Sequence, residues 1–170
     1  RVFGAIFGGP KTFPCDIFFV NKVSVLDIVW GTDSPIQLED PKYPMLLGVR
    51  ANGQTGLKIK DSSKFVSNVV GQLPEISVET IRRAIKGMMM SSIKECIAIA
   101  IAEHKVSILE ISTKLTELSN AIISKLNARV ADLGIELNHF AINSISASES
   151  DLEQLRKTKA EMLKGFSEAD

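Results

Sequence analysis

Ile135-Glu-Leu-Asn-His-Phe-Ala-Ile-Asn-Ser-Ile-Ser-Ala-Ser-Glu-Ser150 is the stretch on which the fold turns, because it sits between two helical patterns. Ile135 to Ile145 is rich in β-forming residues and predicts a strand. Ser150, with Glu153 three residues on, makes a capping box for a helix that runs to the end of the chain. Before the strand, Leu115, Leu118, Ile122, Leu126, Val130 and Leu133 mark an amphipathic helix, and Gly134 stops it where a left-handed residue is easiest. After the strand, Leu152, Leu155, Lys159, Met162 and Phe166 follow a 3-4-3-4 spacing, a heptad seam with one lysine in it. Nothing else in the chain is set aside to bury that seam. A partner copy is therefore expected there, with Leu152, Leu155, Met162 and Phe166 as the interface residues; the alternative is that the helix docks back onto its own domain.

Working towards the N-terminus, Asp61 is placed to cap a short helix carrying Phe65, Val66, Val69 and Val70, with Gly71 as its C′ residue. Ser77, with Glu79 in the first turn, opens a long helix through Val78, Ile81, Ile85, Met88, Met89 and Ile93 to about Ala102. Ile97, Ile99 and Ile101 alternate with alanines and also fit a strand, but no turn signal separates them from the helical run. Ile108-Leu-Glu-Ile-Ser112 is a short bridge. The first 60 residues are β in character. Val2 to Phe7 predicts a strand broken by Gly8-Gly-Pro10. Ile17-Phe-Phe-Val20 and Val23 to Trp30 predict a hairpin turning at Asn21-Lys22. Ile36-Gln-Leu-Glu39 is a short strand stopped by Asp40-Pro41, and Met45 to Lys60 a long one bent at Gly48, Gly53 and Gly56. Strands, then helices, then a returning strand predict an α+β domain. Its small, twisted, mostly antiparallel sheet carries helices on one face over residues 1–147, and residues 148–170 start a coiled coil.

The composition bounds the function. The chain has 170 residues, of which 45% are hydrophobic and 24% charged, enough for a real core. Its formal net charge is +0, so no overall basic field attracts nucleic acid. The 2 cysteines, Cys15 and Cys96, form no CxxC pair and are read as two buried small hydrophobes in a reducing compartment. The longest apolar run, Cys96 to Ala102, falls well short of the about 20 residues that span a bilayer. No signal peptide is visible. Arg1 opens in a strand-like run and Asp170 closes in a helix-like one, so both ends read as boundaries within a longer chain, whose other segments are where an anchor or a zinc-ribbon tail is to be sought.

Chemistry is hard to find. The 2 histidines, His104 and His139, are the only bases of the kind that a serine nucleophile needs, and no GxSxG elbow accompanies them. HExxH, calcium-loop and phosphate-loop patterns are missing, and Gly53-Gln-Thr-Gly56 lacks the lysine and helix of a P-loop. Asp16, Asp27, Asp33, Glu39 and Asp40 are explained as exposed or turn residues. No catalytic, cofactor-binding or metal-binding residue, no cofactor, no nucleic-acid partner and no small-molecule substrate is expected. Met88-Met-Met90 is read as plastic core filling, with an adaptable binding surface as the alternative. The phenylalanines Phe3, Phe7, Phe13, Phe18 and Phe19 are read as sheet core, with contact to a bilayer surface as the alternative if they are exposed.

The element order resembles the SPFH superfamily, also called band 7 or prohibitin-homology domains, which includes stomatin, prohibitin and flotillin. Leu133-Gly-Ile-Glu-Leu-Asn-His-Phe-Ala-Ile-Asn-Ser-Ile145 carries the family phrase. Phe18-Phe-Val-Asn-Lys22, Trp30-Gly-Thr-Asp-Ser-Pro-Ile36, Val49-Arg-Ala-Asn-Gly-Gln-Thr-Gly56, Val70-Gly-Gln-Leu-Pro74 and Asn143-Ser-Ile-Ser146 are similar to a bacterial branch described as virion-core-protein-like. The resemblance implies a non-catalytic homo-oligomeric scaffold, cytoplasmic and peripheral at the inner face of a membrane, whose partners are itself and membrane lipid or membrane proteins. The alternative is a soluble adaptor that regulates a protease or a stress-response protein. The membrane hairpin of stomatin-like proteins is not found in these residues.

Overall fold

The computed structural model describes residues 15–168; the strand expected over Val2 to Phe7, with Phe3, Phe7 and Phe13, lies outside them. Among the described residues the architecture is α+β: four antiparallel strands with helices over one face. The long strand β3 (Leu46–Ile59) is the spine. Strands β1 (Leu26–Gly31) and β2 (Ile36–Glu39) pair end to end along one of its edges, and β4 (Ile135–Ala147) pairs along the other. The register brings residues about 90 apart in sequence together, as at Ala51 opposite Ile145.

β4 explains why the quoted stretch behaves as it does. Its buried residues are Ile135, Leu137, Phe140, Ile142 and Ile145. Strict alternation would put Phe140 and Ile142 on the face opposite Leu137. Two register slips correct this, between Gly56 and Leu57 and between Asn52 and Gly53. Asn138 and Asn143 are the extra residues on β4, each a bulge that restores the apolar side chains to the core face. Beside the bulges, the amides of Leu137 and Ile142 donate to Asn127 Oδ1 (2.7 Å) and Ser119 Oγ (3.0 Å) of helix α3 (Leu115–Val130). Main-chain donors that the slipped ladder leaves over are thus satisfied by the covering helix.

The glycines of β3 answer to packing. A Cβ on Gly53 would stand 2.0 Å from Ala141 O and 2.6 Å from Trp30 Cζ2. The bare backbone lets the buried Trp30 ring lie over it and stack on Phe140, with centroids 5.4 Å apart and planes 5° from parallel.

Helix α1 (Ser62–Asn68) is capped by Asp61, whose carboxylate accepts from Lys64 N. Gly71 does not end it in a left-handed residue: the chain closes at Val69 and continues as a 3₁₀ turn, Val70–Gln72. Gly134 takes the left-handed conformation instead (φ 73°) and its carbonyl accepts from Lys60 N (2.8 Å) and Asp61 N (3.0 Å), joining α3 to the start of α1. Helix α2 (Val78–His104) starts at Ser77, as expected, and is one continuous helix through Ile97, Ile99 and Ile101. It buries Ile85, Met89, Ile93 and Ile97 against the sheet and α3. Of the three methionines only Met89 is fully buried; Met88 faces solvent. The bridge after α2 is a 3₁₀ turn, Ile111–Thr113.

Two further expectations need correction. Ile17-Phe-Phe-Val20 forms no strand; Asn21 does turn the chain, accepting from Val23 N (2.9 Å) and Ser24 N (3.1 Å), but β1 begins only at Leu26 and pairs with β3. Phe18 and Phe19 are consequently exposed, and so is Cys15. Asp40, read as an exposed or turn residue, is a turn residue but is buried (3% exposed). It holds the end of β2 to the bridge after α2. Oδ1 accepts from Lys42 N (2.9 Å) and Tyr43 N (3.1 Å), and Oδ2 from Ser107 Oγ (2.9 Å) and Ile108 N (2.9 Å). Four donors are what a carboxylate needs to remain buried without a cation.

Candidate functional site

The sequence places the site on the closing helix, α4 (Glu149–Glu168). Ser148, not Ser150, caps it: its Oγ accepts from Asp151 N (3.1 Å) and its carbonyl from Leu152 N (2.9 Å). Asp151 then reaches back so that Oδ2 accepts from Gly48 N (3.3 Å) at the start of β3. These contacts fix the direction in which the helix leaves the sheet.

The four seam residues part company. Leu155 is fully buried (0% exposed) in its own subunit, and Leu152 is half-buried against the same core. They anchor α4 to the domain. From Lys159 to Phe166 every side chain is exposed, so about two turns of helix stand clear of the domain. Met162, Leu163 and Phe166 lie on these turns, with Phe166 70% exposed. At the boundary between the docked and free parts, Leu109, Arg156, Lys159, Ala160 and Leu163 line a shallow cavity of about 350 Å³.

A second apolar surface lies where Phe18 and Phe19 were expected to join the sheet core. A cleft of about 460 Å³ lies between the 17–26 segment, α1 and the first turns of α2. Phe18, Val25, Phe65, Val70, Ile76 and Val78 are among its walls. At its rim Phe19 is 94% exposed, and Val23 is held out by the Asn21 turn. The one local signal was that turn, in which Asn21 Oδ1 accepts from Val23 N and Ser24 N.

Groups that could do chemistry are scattered. His104 Nδ1 lies 3.2 Å from Glu117 Oε1, and His139 Nε2 lies 3.5 Å from Asp27 Oδ1 on the open face of the sheet. Each histidine meets one carboxylate. Among the described residues no group of three or more His, Cys, Asp or Glu side chains could hold a metal ion. The Cys96 thiol is buried and desolvation pushes its pKa up, which keeps it protonated and unreactive. The other perturbed groups are surface ion pairs. The Lys94 ammonium, 2.5 Å away, lowers the Asp33 carboxyl. Arg129, also 2.5 Å away, lowers Glu95 and is itself raised. Lys42, at 2.6 Å, lowers Glu110 and is raised in return. These pairs tie helices and loops together on the outside; none gathers at a cavity with a nucleophile.

The chain matches the SPFH domain-Band 7 family over residues 3–163 and belongs to that family. None of the curated proteins compared with it matches. The family is generally non-catalytic, and membership in it is consistent with a scaffold-type role. No helix among the described residues is long and apolar enough to cross a membrane.

Proposed function

We propose that this chain is an oligomeric scaffold whose copies meet through the free end of α4, and that within the family it falls with the bacterial, virion-core-protein-like branch. The observation that carries the reading is the exposure of Met162, Leu163 and Phe166 on the last turns of α4, Phe166 most of all. Their exposures, 37%, 60% and 70%, leave less than two side chains' worth of apolar surface to cover, so burial contributes about 2.5–5 kcal/mol at about 1.5–3 kcal/mol per full side chain. Bringing two copies together costs about 4–15 kcal/mol. This short stripe therefore supports weak association, and a longer continuation of the seam supports a stable one. Multi-angle light scattering on this chain and on a version extended beyond Asp170 measures both. A monomer in each case, at concentrations up to about 1 mM, sinks the proposal.

The place of work is the surface of a membrane, in keeping with the family. Phe19 and Val23 project from the rim of the apolar cleft on either side of Lys22, a pattern suited to the headgroup region of a bilayer. The same cleft suits a soluble adaptor, which would place a partner's apolar side chains there. Vesicle flotation of the full-length protein separates the two: recovery with lipid that is lost in Phe19→Ser supports the membrane, and no recovery supports the adaptor.

A further inference from the structure

The outer edge of β1 faces a groove that neither the α4 reading nor the apolar cleft accounts for. In the β1–β3 ladder Thr32 N donates to Ala51 O (3.0 Å), continuing a register in which Trp30 faces Gly53 and Ile28 faces Thr55. Antiparallel ladders alternate, so the main-chain groups of Ile28 and Trp30 point to β3, and those of Asp27, Val29 and Gly31 point away from it. Arg82 of α2 confirms the direction, its Nε donating to Asp27 O (3.0 Å). Val29 and Gly31 have no such partner among the described residues: their outward N–H and C=O groups are unpaired.

Helix α2 runs beside this edge without closing it. At one end Arg82 holds Asp27; at the other Lys94 Nζ holds Asp33 Oδ1 (2.5 Å) and Ser34 Oγ (2.9 Å). Twelve residue steps along the helix from Arg82 to Lys94 rise about 18 Å, close to the about 20 Å of the six-residue strand β1. A groove of about 430 Å³ lies at the Arg82 end, lined by Asp27, Val29, Glu79, Arg82, Arg83 and Lys86. Its charges are uneven. Glu79 is taken by Arg82, and Asp27 faces His139, whereas the exposed Arg83 and Lys86 have no ionic partner among the described residues. Val29, 70% exposed, adds an apolar step on the strand side between Asp27 and Gly31.

We propose that this groove binds an extended acidic peptide segment of a partner protein by strand addition. The peptide's main chain pairs with Val29 and Gly31, an apolar side chain rests on Val29, and its carboxylates meet Arg83 and Lys86. Main-chain pairing supplies affinity and the flanking cations supply selection for acidic sequence, a division of labour common to edge-strand recognition.

The test uses the whole 170-residue chain and fluorescein-labelled Thr-Val-Glu-Val-Glu-Val, followed by anisotropy and by amide hydrogen exchange. The expected result is saturable binding that weakens with salt and slows exchange at Val29 and Gly31. Arg83→Glu with Lys86→Glu, both on the exposed face of α2, should weaken binding at least about tenfold while leaving the circular dichroism spectrum unchanged. The same peptide methylated on alternate amides should not bind. Three results overturn the proposal. One is no binding at 1 mM peptide; another is binding indifferent to methylation. The third is slow exchange at Val29 and Gly31 before any peptide is added. If that protection is independent of protein concentration, the chain's own residues 1–14 hold the edge; if it grows with concentration, a second copy does.

Discussion

Asp40 shows how one side chain can hold two parts of the chain together. Its carboxylate takes four hydrogen bonds and is buried, so removing it strands four donors, two of them 67 and 68 positions away in the sequence. Asp40→Ala is expected to cost about 2–4 kcal/mol in urea unfolding, because each stranded buried donor carries a desolvation penalty. Asp40→Asn, which keeps one good acceptor, should lose about half as much. The glycines give a paired test. Gly53→Ala would force a methyl to within 2.0 Å of Ala141 O, while a methyl on Gly87, inside α2, meets nothing within 4 Å. Gly53→Ala should therefore destabilise by more than about 2 kcal/mol, and Gly87→Ala should stabilise by about 0.5–1 kcal/mol through helix propensity alone. Thermal melts of the two variants read both signs. Equal effects would show that the close approach at Gly53 is not what the glycine serves.

Among the elements, α2 and α4 differ in what holds them. α2 is wedged between sheet and α3, and its Cys96 sits in that packing. Cys15 lies before the first strand and is exposed. One thiol per chain should react with Ellman's reagent in the native state and two in denaturant; two rapid native reactions would show that the α2 interface opens. α4 is fastened by Asp151, Leu152 and Leu155 and free beyond. Phe166→Glu should leave the melting temperature within about 1 °C of the parent, since that side chain is largely exposed, whereas Leu155→Ala should lose about 2–5 kcal/mol as any fully buried leucine does. A large loss of stability in Phe166→Glu would place that side chain inside the domain and remove the free stripe. The elements were legible where their signals are local: Ser77 and Asp61 cap as expected, and the 3-4 spacings locate α2 and α3. The cap of α4 was misplaced by two residues because Ser148 and Ser150 offer the same chemistry, and only the docking of Asp151 on Gly48 N chooses between them.

On the scale of the whole molecule, exposed ion pairs add ties between elements around the outside of the core. Lys94–Asp33 ties α2 to the turn after β1, Arg129–Glu95 ties α3 to α2, and Lys42–Glu110 ties the β2 turn to the bridge. Each lowers its carboxylate, so in the folded state these groups keep their charge to lower pH than in the unfolded chain. Their contribution is fully present above the ordinary carboxylate range and is lost as pH falls through the lowered values. Stability should thus be flat around neutrality and decline below about pH 4.5, the ordinary glutamate value, with a shallower decline in Glu95→Gln and in high salt. A melting temperature that rises on acidification would contradict this. The amino-acid order by itself settled the class, α+β with one returning strand, since periodicity and capping are properties of neighbours along the chain. The phrase from Ile135 to Ile145 even spelled its bulges, through apolar residues spaced two and three apart around Asn138 and Asn143, for a reader who does not insist on strict alternation. The three-dimensional arrangement alone decided that Leu155 serves the core and Phe166 does not, that Asp40 is buried, that Ile17 to Val20 stays out of the sheet, and that the edge of β1 stands open. Each of these depends on what lies opposite a residue in space, and a hydrophobic spacing records only that a side chain avoids water, not which surface shelters it.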